Sequence, residues 1–340
     1  MVDQKASVLP ALNGNLVVEV LPRPTPSIDE VLVKVTAAAV NPLDNLMSHF
    51  KIFAILGCDG AGVVEAVGTG VQGFKKGDRV FFQADFKNDY ATFQQYSLAN
   101  ARQVGHTPSN VTDEQASTLP SSLATAVAIL FDKTGIAPLV NGPTVSGIPI
   151  VILGGSGSVG RTTIQLARIA GFSLIVTTSS NAHADALRSL GATHVFDRNV
   201  SVETIHSAVQ SAGHPLHFVV DAVSTPETQL FAYKLLTSQL NSPAGELQLR
   251  LVLPPTEQLI AANEARAEGP IKLGMVDGSA YALPELNAPF WAIAGKWIEE
   301  GELVPASVQV VEGGLAAVPE ALDIIAKGVS GVKLVIRPHD

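Results

Sequence analysis

The sequence has almost no cysteine and no long apolar run. Cys58 is the only cysteine among 340 residues, which excludes an internal disulfide and a four-cysteine structural zinc site. No stretch approaches the roughly 18 apolar residues of a membrane span. Residues 1–10 lack the basic start and apolar block of a signal peptide. We therefore expect a cytoplasmic protein with no membrane partner.

Positive charge is also scarce. The chain has 22 Lys and Arg against 31 Asp and Glu, for a net charge of −9. This acidic balance disfavours binding to a phosphate backbone, so no nucleic-acid partner is expected. Only 16% of the residues are charged and 46% are hydrophobic. The composition indicates a folded protein with a large core, and the length allows two domains.

The most informative motif is a glycine-rich turn at residues 154–160. The apolar residues 151–153 precede G-G-S-G-S-V-G, and a helix-like stretch follows at 161–170. A strand, G-x-G-x-x-G and a helix in this order are typical of a dinucleotide site, because the glycines let the backbone approach a pyrophosphate at the helix N-terminus. A plain glycine turn is the alternative. The predicted cofactor contacts here are Gly154, Gly155, Ser156, Gly157, Ser158 and Val159.

The residues after the second predicted strand favour NADPH over NADH. No acid stands at residues 177–182, where NAD-binding proteins place a carboxylate that binds the ribose 2′-OH. Hydroxyls and amides at this position can instead donate to a 2′-phosphate. The predicted contacts are Ser179, Ser180, Asn181, His183 and Arg198. The cation would be His183 or Arg198, although Arg198 could also stack on adenine or be a solvated arginine.

The order of predicted elements indicates an α/β protein with two domains. Short strands and turns fill the first 110 residues, with the dense glycines of a small β-barrel. Strands and helices alternate from Pro149 onward, which predicts a parallel, doubly wound sheet. The apolar segment 247–253 is predicted to be an edge strand of that sheet. The last residues return to barrel-like strands.

Several motifs together resemble the medium-chain dehydrogenase/reductase superfamily over nearly the whole chain. They are N-P-L-D at 41–44, G-C-D-G-A-G-V-V-E-A-V-G at 57–68, G-D-R-V at 77–80, L-A-T-A at 123–126, the glycine turn, L-G-A at 190–192 and S-G-V-K-L-V at 330–335. The sequence is most similar to the zinc-independent branch, which holds quinone reductases and fungal trans-acting enoyl reductases. V-D-A-V-S-T-P-E at 220–227 resembles the enoyl reductases in particular.

The resemblance implies a GroES-like β-barrel catalytic domain at residues 1–120 and 300–340, and a Rossmann NADPH-binding domain at 121–299. It also implies that Ala222, Val223 and Lys333 contact the cofactor. Zinc relatives place a Cys where this chain has Asn41, and His-Glu where it has Cys58-Asp59. Because catalytic zinc needs three good protein ligands, no metal is expected.

Hydride transfer to an activated C=C is the reaction that the resemblance implies. The substrate would be an α,β-unsaturated carbonyl compound or acyl thioester, possibly supplied by a polyketide synthase that this enzyme serves in trans. The candidate catalytic residues are Asn41, Asp44, Thr125 and Lys51. Loop-capping roles for Asn41 and Asp44, a backbone-bonded hydroxyl for Thr125 and a solvated side chain for Lys51 are the alternatives.

Other functions remain open at this point. A quinone reductase would share the cofactor site and differ in its electron acceptor. A zinc-free alcohol dehydrogenase and a non-catalytic protein that only binds the nucleotide are further alternatives. Relatives are monomers or homodimers, and both states are possible here.

Overall fold

A computed structural model describes residues 2–12, 14–48, 54–139, 142–210, 213, 215–238 and 245–340. The chain divides into two compact units. Unit 1 comprises Met1–Ser121 and Ser279–Asp340, and unit 2 comprises Ser122–Gly278. No helix in the described ranges is long and apolar enough to cross a bilayer.

The elements are numbered along the chain. The strands are β1 (Asp3–Leu9), β2 (Val17–Pro22), β3 (Glu30–Ala39), β4 (Ala54–Ile55), β5 (Asp59–Val67), β6 (Arg79–Gln83), β7 (Tyr96–Asn100), β8 (Val104–His106), β9 (Pro149–Leu153), β10 (Leu174–Ser179), β11 (His194–Asp197), β12 (Phe218–Asp221), β13 (Gln248–Leu251), β14 (Lys272–Met275), β15 (Ser307–Val310) and β16 (Val332–Ile336). The helices are α1 (Pro42–Ser48), α2 (Asp113–Ala116), α3 (Pro120–Phe131), α4 (Ser158–Ala170), α5 (Ala184–Ser189), α6 (Val202–Gln210), α7 (Pro226–Thr237), α8 (Glu257–Glu264), α9 (Pro284–Glu299) and α10 (Val318–Lys327).

Unit 1 is built from two sheets that are mainly antiparallel. One has the order β2-β1-β4, and the other has the order β15-β16-β3-β5-β6-β8, with β7 also paired to β3. Strand β3 is central because it pairs with β5, β7 and β16. The core is aliphatic and aromatic, with Val33, Val64, Phe82 and Leu334 fully buried. This arrangement agrees with the β-barrel domain predicted from the glycine-rich N-terminal third.

Unit 2 contains a parallel sheet with helices between its strands. In the described residues the strand order is β11-β10-β9-β12-β13-β14, and each pairing is parallel. The chain enters at the centre with β9, moves outward to β11, and returns beside β9 with β12. This is the order of a doubly wound dinucleotide-binding fold, so the predicted fold class is confirmed.

The predicted position of the edge strand is wrong. The segment 247–253 contains β13, which lies between β12 and β14, and the edge strand is β14. Strand β13 is buried along its whole length, including Gln248 and Arg250, as expected for a strand inside a parallel sheet. The half-buried sequence K-L-G-M of β14 gives a weaker apolar signal than a central strand.

The second domain boundary also differs from the predicted one. Helix α9 was assigned by sequence to the nucleotide-binding domain, but it lies in unit 1. Its Phe290 and Trp291 are buried, and the Trp291 ring lies 5.7 Å from the ring of Phe81 in β6. The helix therefore belongs to the core of unit 1, and the boundary falls just after β14.

Candidate active site

The glycine turn in unit 2 connects β9 to α4 with close backbone packing. Gly154 has a φ of +80°, and its amide donates to the hydroxyl of Thr178 over 3.2 Å. The Gly155 N–H donates to the Thr178 carbonyl over 2.9 Å. These bonds tie the turn to the end of β10. Gly157 is the N-cap of α4 and has no side chain to cap the helix, so the first N–H groups are suited to an anion.

A cavity of about 590 Å³ lies beside this turn. It is bordered by the carboxyl ends of β9, β10 and β12 and by the segment after β11, which is the topological switch point of the sheet. Its lining comprises Leu153, Gly154, Ser156, Gly157, Thr178, Ser179, Ser180, Arg198, Asn199, Val200, Ala222, Val223, Glu227, Thr228 and Phe231. The uncapped helix terminus and the hydroxyls around the cavity fit a dinucleotide. Eight of the predicted cofactor residues therefore surround one cavity.

The other predicted cofactor residues have different positions. Gly155 is buried in the turn, and Ser158 and Val159 begin α4. Asn181 and His183 lie in a 3₁₀ turn after β10. The lining also contains residues that are not among the predicted contacts, such as Asn199, Glu227 and Phe231. The rule that ligands bind at the carboxyl ends of parallel strands would have pointed to them.

The turn after β12 holds Ala222 and Val223 against the cavity. Asp221 is buried and accepts hydrogen bonds from the N–H groups of Val223 at 3.0 Å and Ser224 at 2.9 Å. Ser224 has a φ of +59°, in the left-handed region that favours glycine. Its hydroxyl donates to the Asp221 carbonyl at 2.9 Å and accepts from the Val252 N–H at 3.0 Å. The two hydrogen bonds compensate for the strained backbone.

We expect Ser224→Ala to be more destabilising than Ser224→Gly. Alanine loses both hydrogen bonds and keeps the strain, at a cost of about 2 kcal/mol. Glycine loses the same bonds but relieves about 1 to 2 kcal/mol of strain, so its net cost should be below about 1 kcal/mol. Thermal denaturation of the two variants would measure the difference. A glycine variant less stable than the alanine variant would contradict this account.

In unit 1, the N-P-L-D motif forms the start of α1. Asn41 precedes Pro42 in the first turn, and the Asp44 carboxylate accepts from the Asn41 backbone N–H at 2.8 Å. This is the return bond of a helix capping box. Both predicted residues therefore lie together at the start of α1, where the Asp44 carboxylate caps the helix, and their catalytic role stays a prediction. Asp44 is 1% exposed, and burial raises its pKa to about 7.

A buried polar network surrounds Asn41. Its amide nitrogen donates to Asp59 Oδ2 at 2.9 Å and lies 3.5 Å from the Ala39 carbonyl. Asp59 is fully buried in β5, and its Oδ1 accepts from the backbone N–H and the hydroxyl of Ser121 at 2.7 and 2.6 Å. Asp59 thus joins β5 to α1 and to the first turn of α3. The Asn41 amide hydrogens point to acceptors within unit 1.

Lys333 completes this network. Its ammonium donates to Asn41 Oδ1 at 2.5 Å and lies 3.5 Å from Asp59 Oδ2. The side chain is 4% exposed. Both partners belong to unit 1, and the predicted contact of Lys333 with the cofactor stays a prediction. The contact also shows which end of the Asn41 amide is the oxygen, because an ammonium can only donate and its partner must be an acceptor.

The two remaining catalytic candidates are Thr125 and Lys51. Thr125 is half-buried in the part of α3 that belongs to unit 2. A Cβ at Gly278 would lie 2.3 Å from the Thr125 hydroxyl, so glycine is required where the backbone passes this side chain. Lys51 lies outside the described residues.

The donor set in unit 1 does not fit a zinc ion. Within the ranges that the structure describes, no three His, Cys, Asp or Glu side chains are close enough to share a metal. At the positions equivalent to the zinc ligands, Asn41 offers a neutral amide and the Lys333 ammonium already neutralises Asp59. Burial raises the pKa of the Cys58 thiol, with further increases from Asp44 and Asp59, whereas zinc binds thiolate.

Unit 2 thus has the fold and the cavity of a dinucleotide-dependent oxidoreductase. Family models agree: the alcohol dehydrogenase GroES-like domain matches residues 27–112, and the zinc-binding dehydrogenase domain matches residues 158–241. The chain belongs to the medium-chain dehydrogenase/reductase superfamily. Within that superfamily it belongs to the group that contains the fungal trans-enoyl reductases. It is an oxidoreductase that uses a nicotinamide dinucleotide.

Individual relatives match over most of their length. The trans-enoyl reductase himH of Aspergillus japonicus is 33% identical over 323 residues, covering 91% of this chain and 89% of the relative. The enoyl reductase component lovC of the lovastatin nonaketide synthase of Aspergillus terreus is 29% identical, with the same coverage of 91% and 89%. The crystal structure of an alcohol dehydrogenase superfamily protein from Novosphingobium aromaticivorans has a TM-score of 0.79 at 24% identity, covering 98% of this chain and 99% of that one.

Proposed function

We propose that the protein is an NADPH-dependent, metal-free reductase of an activated C=C, in an enone or an enoyl thioester. Two observations carry the proposal. Unit 2 has a cavity suited to a dinucleotide, and in unit 1 the Lys333 ammonium contacts Asn41 and Asp59, two residues at positions where the resemblance places zinc ligands. Without a Lewis acid, a C=C that is already polarised by a carbonyl group is the substrate that hydride can attack. The trans-enoyl reductase relatives support this choice.

NADPH supplies the hydride when it is bound. The protein's part is to hold the cofactor in the unit 2 cavity, orient the substrate and stabilise the developing enolate oxygen. Thr125 is our candidate for a hydroxyl that contacts the substrate. A polyketide synthase is the proposed source of a thioester substrate, since lovC is named as the enoyl reductase component of such a synthase.

The test follows NADPH and NADH oxidation by absorbance after chelator treatment, with a simple enone, an enoyl thioester and a quinone as acceptors. We expect chelator-insensitive loss of NADPH with the enone or the thioester. Turnover with the quinone alone would replace the proposal with a quinone reductase. Tight NADPH binding without turnover of any acceptor would favour a non-catalytic nucleotide-binding protein.

Arg198 is the proposed contact of the 2′-phosphate. It lines the cavity beside Ser179 and Ser180, whose hydroxyls can also donate to a phosphate. Arg198→Ala should weaken NADPH binding about tenfold and leave the Kd for NADH unchanged, because a charge-assisted hydrogen bond contributes about 1.5 kcal/mol or more. Calorimetric titration with both nucleotides measures this.

Arg188→Ala is the matched control for Arg198→Ala. Arg188 is exposed on α5 and forms an ion pair with Asp185 at 2.8 Å, so its loss should change neither Kd. If Arg198→Ala weakens NADPH and NADH binding equally, Arg198 contacts the adenine or the pyrophosphate and does not determine NADPH specificity.

A further inference from the structure

The unit 2 cavity has a lining of two kinds. The uncapped start of α4, the serine hydroxyls after β10 and Arg198 offer hydrogen-bond donors and positive charge. Asn199, Val200, Glu227 and Phe231 instead offer oxygen acceptors and apolar surface. A dinucleotide has a match for each kind, because its phosphates accept, whereas its adenine has flat apolar faces and a 6-amino group that donates. The second kind of lining therefore fits the adenine.

Val200 and Phe231 are the apolar walls of this part of the cavity. Both side chains are half-buried and pack against the hydrophobic core of unit 2. Their positions are therefore fixed before a ligand binds. An aromatic ring can stack on a nucleobase, but stacking tolerates every base because each has a π-face. The walls can therefore bind a purine without selecting which purine it is.

Asn199 offers an acceptor to the cavity because its amide nitrogen is already bonded. Asp197 Oδ1 accepts from the backbone N–H of Asn199 at 3.0 Å and from its Nδ2 at 3.1 Å. A carboxylate can only accept, so the nitrogen of the amide faces Asp197. In the part of the chain that the structure describes, no donor contacts the Asn199 Oδ1. This oxygen is the atom with which Asn199 can bind a ligand.

Glu227 offers a second acceptor, and it carries a negative charge. It lies in the first turn of α7 and lines the cavity. Its own backbone N–H and the Thr225 hydroxyl hold the pKa of Glu227 below its usual range, so it is ionised at neutral pH. Phosphates repel a carboxylate, which therefore fits only a donor group of the cofactor. In the adenosine half of NADPH, the 6-amino group is the donor farthest from the phosphates.

We propose that Asn199 and Glu227 recognise the 6-amino group of the cofactor's adenine and make the enzyme selective for adenine over a 6-oxo purine. The inference rests on the proposed function, in which NADPH occupies the unit 2 cavity. The amino group has two N–H bonds, one for each acceptor. Hypoxanthine has an oxygen at this position, which cannot donate and would face the carboxylate. A site that hydrogen-bonds a substrate NH group rejects an analogue without it more strongly than an apolar pocket does.

The first experiment titrates the wild-type protein calorimetrically with NADPH and with deamino-NADPH. The two nucleotides differ only at the base, which is adenine in one and hypoxanthine in the other. We expect a Kd about 30-fold higher for deamino-NADPH, equivalent to about 2 kcal/mol. Equal Kd values would overturn the proposal, because Glu227 would then contact a group that both nucleotides share, such as a ribose hydroxyl.

The second experiment repeats both titrations with Glu227→Gln. Glutamine has the same shape, but its amide can also donate to the oxygen of hypoxanthine. NADPH should bind about fivefold more weakly and deamino-NADPH about fivefold more tightly, so that the selectivity falls below about threefold. Glu257→Gln is the matched control, because Glu257 is exposed in the first turn of α8 in the same unit and is not part of the cavity lining. A purely structural role of Glu227 would change both Kd values by the same factor, and that result would overturn the proposal.

Phe231→Leu separates stacking from hydrogen bonding. Leucine keeps an apolar wall and removes the flat ring, so both Kd values should rise by the same factor and the selectivity should stay near 30-fold. A selectivity lost with Phe231 would overturn the proposal, because the wall would then distinguish the bases.

The proposed function and this inference can fail separately. If the protein binds NADPH but reduces no enone or thioester, the proposed function fails, and the two titrations still test the recognition of adenine. If it binds NADH in place of NADPH, the proposed cofactor is wrong, and NADH with deamino-NADH gives the same comparison. Failure to bind any of these nucleotides would overturn both.

Discussion

Replacing Lys333 with methionine should lower the free energy of unfolding by about 3 to 5 kcal/mol. Methionine fills a similar volume and removes only the ammonium, which leaves the fully buried Asp59 carboxylate without its counter-ion. Breaking a buried ion pair on one side has a cost in this range, because the remaining charge stays buried and unpaired. The Ser121 and Asn41 donors still reach Asp59, so the protein should fold with reduced stability.

The chain offers a convenient probe for this measurement. It contains two tryptophans, Trp291 and Trp297, and both are buried in α9 of unit 1. Their fluorescence during urea denaturation therefore reports the unit that holds Lys333. Lys76→Met is the matched control, because Lys76 is 69% exposed and pairs with Glu65 at 3.1 Å. Its loss should cost below about 1 kcal/mol.

A double-mutant cycle separates the ion pair from simple packing effects. Asp59→Asn alone should also be strongly destabilising, because it leaves the Lys333 ammonium buried. The double variant with Lys333→Met should be less destabilised than the sum of the two single variants, since neither charge is then left alone. Additive losses would mean that the two side chains act independently, and the network would have to be interpreted as separate hydrogen bonds.

The position of the unit 2 cavity could be predicted from the sequence because the residues around it follow local rules. A glycine turn between a strand and a helix determines the position of the pyrophosphate contact, and the ends of the next parallel strands determine the rest. Gly154, Ser179 and Arg198 are far apart in the chain, but each follows one of these strands. Glu227 and Phe231 lie on α7, the helix that follows β12, so the same rule points to them as well.

The network in unit 1 could not be predicted in the same way. Asp59 and Lys333 come from opposite ends of the chain and meet because β5 and β16 both pair with β3. No periodicity or spacing reports such a pairing. One physical signal was available: an acid inside the apolar, glycine-rich segment 57–68 must have a partner when buried. The pair Cys58-Asp59 matches an incomplete metal site by motif, and no motif indicates that Lys333 is the cation that pairs with Asp59.

The misplaced edge strand has a similar cause. Strand β13 carries Arg250, which is only 4% exposed and donates to the Ala128 carbonyl at 3.3 Å. Its guanidinium lies over Gly274 of β14, where a Cβ would stand 2.2 Å from Nη1. A buried arginine within an apolar run resembles the charged residue of an edge strand. The sequence cannot show that a glycine on the neighbouring strand makes room for it.

Replacing Gly160 with alanine should lower stability, whereas replacing Gly157 with alanine should lower cofactor affinity, although both glycines belong to one motif. A Cβ at Gly160 would lie 2.3 Å from the Gly154 carbonyl oxygen. That oxygen accepts from the Gly157 N–H at 3.1 Å, and Gly155 is bonded to Thr178, so the turn cannot withdraw without breaking these bonds. Gly160→Ala should therefore destabilise unit 2 by about 3 kcal/mol, at the upper end of the cost of overpacking.

Gly157→Ala should leave the fold nearly intact and weaken cofactor binding. Its Cβ would meet only the Gly154 oxygen at 3.5 Å, an ordinary contact, and its φ of −73° suits any residue. The fold should lose only about 1 kcal/mol, the penalty for alanine at an N-cap. Gly157 lines the cavity, however, and an added methyl group would hold a pyrophosphate away from the helix terminus. We expect the Kd for NADPH to rise at least about tenfold, or about 1.4 kcal/mol.

Circular dichroism during thermal unfolding, together with NADPH titration, distinguishes the two effects. Ser207→Ala is the control, because Ser207 is exposed on α6 of the same unit and is not part of the cavity lining. Wild-type affinity in Gly157→Ala would show that the backbone need not approach the cofactor there. Normal stability in Gly160→Ala would show that the turn can shift despite its hydrogen bonds. The expected pattern, stability lost at 160 and affinity lost at 157, would divide the motif into one glycine needed for packing and one needed for the ligand.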